Sequence, residues 1–78
     1  MTTDEQAPSY GVVLFQSISS ALRAEKLLKK EGINHKLIPV PRHLSSDCGV
    51  CIRFFSEDES QIRKALTGKV EIQTICPL

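Results

Sequence analysis

The chain predicts an α+β sandwich in the order β-α-β-β-α-β, and three observations carry that prediction. Two amphipathic stretches at helical spacing, each closed by a glycine, lie between four short runs rich in β-branched and aromatic residues. The run from Val50 to Phe55 alternates with a period of two, the signature of a strand. Finally, the two middle runs flank an irregular polar stretch that reads as a loop between two strands.

Residues Met1 to Ser9 show no periodicity and read as a leader without a role, which leaves 10–78 as a single domain. Tyr10 to Phe15 is apolar without alternation, as suits a central strand covered on both faces. Ser17, Ser19 and Ser20 offer N-caps for a first helix, because a serine oxygen accepts from the free amides of a first turn. Ile18, Ala21, Ala24 and Leu28 form its apolar stripe, Leu22 and Leu27 flank it, and Gly32 ends it. His35 to Val40 is the second strand, placed at an edge because Pro39 and Pro41 lack amide donors.

After the third strand, Ser56 and Glu59 have the spacing of a capping box for a second helix with Ile62, Ala65 and Leu66 on its apolar face, ended by Gly68. Val70 to Cys76 is the last strand, with Val70, Ile72 and Thr74 on one face and Glu71, Gln73 and Ile75 on the other. This order fits the ferredoxin-like split βαβ sandwich, a four-stranded antiparallel sheet with both helices on one face. The other face is then open, and Val13, Phe15, Phe55 and Ile75 are expected to contribute to an apolar patch on it, which calls for a homo-oligomer.

Composition excludes several functions. With 78 residues the core is small, and 41% hydrophobic against 24% charged residues is ordinary for a globular protein. No apolar run reaches the roughly 20 residues of a membrane helix, and the first residues do not resemble a secretory signal, so no membrane partner and a cytoplasmic location are expected. A net charge of +1 lacks the general field that binds nucleic acid, and Arg23, Lys26, Lys29 and Lys30 read as a solvated helix face with no interleaved aromatics. Three cysteines, an odd number, argue for reduced thiols over a disulfide framework.

The polar stretch between the second and third strands concentrates the chemistry. It presents Arg42, His43, Ser45, Ser46 and Cys48, with Gly49 where the backbone either passes closely or takes a positive φ. Arg42, His43 and Arg53 lie close in sequence to Cys48 and favour its thiolate, while Asp47 opposes it. The competing reading makes Cys48 a small apolar residue entering a strand. Arg42 with the two serines has the donors of an anion pocket, against which stands a solvated turn.

Cys48 and Cys51 also form a C-x-x-C, but in an extended chain their Cα atoms are ~10 Å apart and outside disulfide reach. A zinc site lacks a second ligand pair unless Cys76 converges with His43 or His35, and no metal or other cofactor is assigned.

On Phe15, Ala21-Leu22, Glu25-Lys26, Leu28, Gly32-Ile33, Leu37-Ile38-Pro39, Pro41-Arg42, Ser45-Ser46, Cys48-Gly49 and Arg53-Phe54, the chain resembles the small bacterial selenium/sulfur carrier-like family. The resemblance runs from Tyr10 to Phe55. It implies that Cys48 receives sulfur or selenium as a persulfide or selenopersulfide, that Arg42, Ser45 and Ser46 line the site, and that the partners are sulfur or selenium donor and acceptor proteins. Cys51 adds a second thiol to the family pattern. The Cys-Pro-x-Pro helix start of other sulfur-relay proteins is absent, so their mechanism is not carried over.

Three readings follow. The first is a non-enzymatic carrier with Cys48 as acceptor and with Arg42, Ser45, Ser46, Gly49 and Arg53 as binding residues. The second is a regulatory module whose loop binds an anionic metabolite while Cys48 only packs. The third is an interaction domain docking through the open sheet face. A carboxylate pair, a base placed to serve Cys48 and a glycine-rich phosphate loop are all missing, which speaks against an enzyme.

Overall fold

A computed structural model describes residues 9–44 and 49–78. The expected leader, but for Ser9, lies outside the described residues. Four strands, β1 (Tyr10–Leu14), β2 (Lys36–Pro39), β3 (Val50–Phe55) and β4 (Thr74–Pro77), form one sheet in the order β2-β3-β1-β4, with every neighbouring pair antiparallel. The helices α1 (Ile18–Glu31) and α2 (Glu59–Leu66) connect β1 to β2 and β3 to β4. Each strand-helix-strand unit therefore straddles a strand of the other unit, which is the ferredoxin-like arrangement the sequence predicts. The proline-bearing β2 is at an edge, where a missing amide donor costs no ladder bond.

The caps of α1 are those its sequence specifies. Ser17 is extended, and its hydroxyl accepts from the Ser20 amide at 3.3 Å. At the other end Gly32 takes φ 72, so that its amide donates to Lys29 O at 3.1 Å and the Ile33 amide to Leu28 O at 3.0 Å. That pair of bonds satisfies two of the carbonyls a helix end otherwise leaves open. Ala21, Ala24 and Leu28 are buried, and the two small residues let the helix approach the sheet closely. Ile18 departs from its expected place in the stripe: as the first helical residue it is 52% exposed.

The second helix begins differently from its predicted capping box. Ser56–Asp58 forms a single 3-10 turn in which the Ser56 carbonyl accepts from the Glu59 amide, and α2 starts only at Glu59 with no side-chain cap. The Ser56 amide is taken by Ser9 O at 3.0 Å, which prolongs the β1–β3 ladder and holds Ser56 to the sheet. Ile62, Ala65 and Leu66 face the core as expected.

The last strand is shorter than its alternation suggests. Its partner β1 ends at Leu14, paired with Thr74, and the Gln73 amide donates to Leu14 O at 2.8 Å. Beyond that point no β1 backbone remains to pair with. Val70 instead bonds back to Leu66 O at 3.1 Å, and Val70 and Ile72 pack on the helix-side core together with Ile75.

The faces of the sheet require a larger correction. Register sets Val13 opposite Ile52 and Gly11 opposite Phe54, so the period of two turns Val13, Phe15, Ile52 and Phe54 toward the helices. Val13 and Phe15, expected on the open face, are wholly buried there with Ala21, Ala24, Leu28 and Ile62, and Ile75 packs against the same core. Of the four residues expected to form the open patch only Phe55 keeps its place, and its ring stacks on Tyr10 with centroids 5.4 Å apart. Nor is that face bare. Val12, Leu14 and Cys51 form a second buried cluster, closed over by Ile38, Val40, Leu44 and Cys76. The large apolar side chains that remain exposed among the described residues are Ile18, Leu22 and Leu78, none of them in a strand. The homo-oligomer expected through the open face thus loses the apolar patch on which the expectation rested.

Gly11 fits under the Phe54 ring: a Cβ at Gly11 would stand 2.6 Å from Phe54 Cζ. A side chain at either position is thereby tied to the other, and glycine is the residue that leaves the ring its room.

Candidate functional site

The β2–β3 connection is built from its ends inward. β2 stops at Pro39, opposite Val50, and the next pair is closed by one bond from the Val40 amide to Gly49 O at 3.2 Å. Gly49 has φ 82, a left-handed conformation that side-chain-bearing residues adopt at a cost, and nothing among the described residues lies within 4 Å of where its Cβ would be. Of the two reasons for a glycine here, the positive φ is met, and no described residue makes the close approach.

From Val40 the chain enters a turn in which the Leu44 amide donates to Pro41 O at 3.0 Å. Arg42 and His43 occupy its centre, and both are exposed. Leu44 dips back toward the sheet, packing with Val40 on Val12, Leu14 and Cys51. This apolar pin under the polar loop was not singled out in the sequence, although a lone leucine in a polar stretch is the kind of signal that marks one. Ser45, Ser46 and Cys48 lie outside the described residues. The structure thus sets Arg42 and Gly49 on the same short loop.

Arg53 is not brought to the described residues of that loop. Four residues beyond Gly49 along β3, it stands roughly 13 Å away at about 3.3 Å per strand residue. Its guanidinium lies over the Tyr10 ring, 4.3 Å from the centroid, at the opposite end of the strand.

The other thiols are placed by the sheet. Cys51 is wholly buried on the face the loop covers, its Sγ 4.0 Å from Pro39 O as a weak donor. Cys76, partly exposed, shares that face on β4. Cys51 pairs with Leu14 and Cys76 with Val12, from opposite sides of β1. Two strand spacings of about 4.8 Å keep their Cα atoms beyond disulfide reach of one another. No group of three or more His, Cys, Asp or Glu placed to hold a metal ion is found among the described residues. His35 is occupied structurally: its Nδ1 donates to Ile33 O at 2.8 Å, and Nε2 lies 3.9 Å from the Glu25 carboxylate.

Burial makes Cys51 testable. In the folded protein its alkylation requires β3 to open, and an opening free energy of ~4 kcal/mol slows the reaction about a thousandfold relative to a free thiol. Mass spectrometry of an iodoacetamide time course should show that delay, and urea should remove it.

The chain matches, over residues 10–77, the family model described as "Putative Se/S carrier protein-like". No curated protein and no solved structure matches it. No described helix is long and apolar enough to cross a membrane.

Proposed function

Because the chain belongs to this Se/S carrier-like family, we propose that it is a carrier rather than a catalyst, with Cys48 as the thiol that takes up and passes on a sulfur or selenium atom. The observation that carries the reading is the family match, which spans the whole folded domain. The placement of the other thiols supports it: Cys51 is shut inside the sheet and Cys76 is partly covered, while Cys48 belongs to the connection that carries the exposed Arg42.

In the proposed transfer the Cys48 thiolate attacks the outer sulfur or selenium of a donor persulfide or selenopersulfide. A bond forms between the Cys48 sulfur and that atom, the donor's own bond to it breaks, and the donor departs as a thiolate. The acceptor's thiolate then repeats the step on Cys48. One thiolate enters and one leaves each time, so no external oxidant is consumed. Arg42, Ser45, Ser46 and the loop amides supply donors for the negative charge on the carried atom.

A rate-resolved alkylation, read by mass spectrometry for each cysteine, tests this. Cys48 should react first of the three thiols, and Arg42→Ala should slow it without altering the unfolding transition. If Cys76 or Cys51 is modified first, or Cys48 stays inert while the protein is folded, the carrier reading fails.

A further inference from the structure

The end of the sheet remote from the β2–β3 connection holds a second constellation, independent of the carrier chemistry. A cavity of ≈ 220 Å³ opens there, with Tyr10, Asn34, Lys36, Arg53 and Phe55 in its lining. Lys36 and Arg53 are directly opposite in the antiparallel register of β2 and β3, so both belong to the same face of the sheet. Two like charges facing one another across a strand pair are destabilising. No carboxylate relieves them among the described residues, where the ion pairs are Glu25 with His35 and Glu59 with Arg63.

Arg53 is also held in place. Tyr10 lies under its guanidinium at 4.3 Å, and Phe55 in turn supports Tyr10 at 5.4 Å. A guanidinium held over an aromatic ring still has N–H groups for a partner, and part of its rotamer freedom is spent before any ligand arrives. A fixed cationic fork, a second cation facing it and an adjoining cavity together have the make-up of an anion subsite. The volume falls below the roughly 300 Å³ at which drug-sized pockets begin, which restricts the occupant to a few heavy atoms.

We propose that this cavity binds a small tetrahedral oxyanion between Arg53 and Lys36, either free or as the phosphate of a compact monoester whose flat group lies in the aromatic half of the cavity. Arg53 grips two oxygens through its fork, Lys36 neutralises the remaining charge, and the exposed Asn34 amide lies within the same lining. Binding replaces a cross-strand repulsion by two attractions, so it also fastens the β2 edge to β3.

The test is a titration followed by amide and arginine Nε resonances at low ionic strength, using inorganic phosphate in one arm, phenyl phosphate in the second and sodium chloride as control. Saturable shifts centred on residues 34–36 and 53–55 are expected with phosphate and not with chloride. Lys36→Gln should weaken binding about tenfold, as loss of one charge-assisted contact does, and Arg42→Gln on the distant loop should leave it unchanged. Arg53→Lys keeps the charge and the fold but loses the fork, and should weaken binding severalfold. Tighter binding of phenyl phosphate identifies a monoester as the occupant, and equal binding identifies the free ion. Shifts that fail to saturate, that match those of chloride, or that survive Lys36→Gln and Arg53→Lys unchanged would overturn the proposal.

Discussion

Replacing Cys48 by Ser is expected to abolish sulfur loading outright. Wild-type protein exposed to polysulfide and then freed of it should carry a mass increment of one or more sulfur atoms on Cys48. The Cys48→Ser variant should carry none. The difference is one of kind, because a serine hydroxyl at neutral pH is neither ionised nor soft enough to displace a thiolate from sulfane sulfur, whereas a cysteine is partly thiolate and intrinsically strong as a nucleophile. Cys51→Ser and Cys76→Ser should keep the increment. Cys51 is closed off by Val12, Leu14 and Leu44, and Cys76 packs at the margin of that cluster. Loading that persists in Cys48→Ser, or that disappears in Cys76→Ser, would assign the acceptor thiol elsewhere.

Removing the Phe54 ring should be the most damaging change to the fold itself. Phe54 is 2% exposed and sits in the helix-side core with Val13, Phe15, Leu28 and Ile62. Phenylalanine-to-alanine changes in such positions cost about 3–5 kcal/mol. A domain of 78 residues has only ~4–12 kcal/mol in total at the usual stability per residue. Phe54→Ala should therefore be largely unfolded or close to it, as read from a urea transition shifted toward zero denaturant. Gly11→Ala damages the same contact from the other side. The new methyl would press on the buried ring, at an expected cost of about 1–3 kcal/mol. Combining Gly11→Ala with Phe54→Leu should cost less than the sum of the two, because the smaller side chain admits the methyl. Strict additivity in that cycle would show that the two sites do not share the space that the 2.6 Å approach implies.

What could be read from the sequence is what depends on short-range chemistry. Ser17 and Gly32 bound α1 because each acts on backbone groups within one turn of itself. Pro39 places β2 at an edge for an equally local reason. The orientation of β1 is another matter. The run Tyr10 to Phe15 is apolar at every position with a side chain, so nothing in it says whether the odd or the even residues meet the helices. Only its register against β3 decides, through Val13 opposite Ile52, and register is a property of two strands separated by a helix and a long connection. Likewise the alternation from Val70 to Cys76 is continuous in sequence, yet pairing can last only as long as β1 does.

The candidate site was partly legible for the same reason. A cluster of polar residues between two strands reads as a candidate functional connection, and of the close approach or positive φ expected at Gly49 the positive φ is found. Sequence proximity then suggested that Arg53 serves the same loop. In an extended strand, however, each residue adds about 3.3 Å, so a few positions are enough to carry a side chain to the other end of the sheet. Arg53 and Lys36 meet through strand pairing instead, across a stretch of chain that includes the whole loop.

The single hydrogen bond from Val40 to Gly49 makes the β2–β3 connection modular. Its two ends are already neighbours in the ladder, and the segment between them spans no distance that the sheet must maintain. Lengthening such a segment costs only the slow logarithmic loss of loop entropy, roughly 0.6 kcal/mol for each doubling. The sandwich can thus tolerate turnover of residues 41–48, by insertion, deletion or exchange, far more freely than a one-residue slip in β3, which would turn Ile52 and Phe54 out of the core. In a laboratory setting residues 41–48 form the natural cassette for grafting, with Leu44 retained so that the underside of the sheet stays closed.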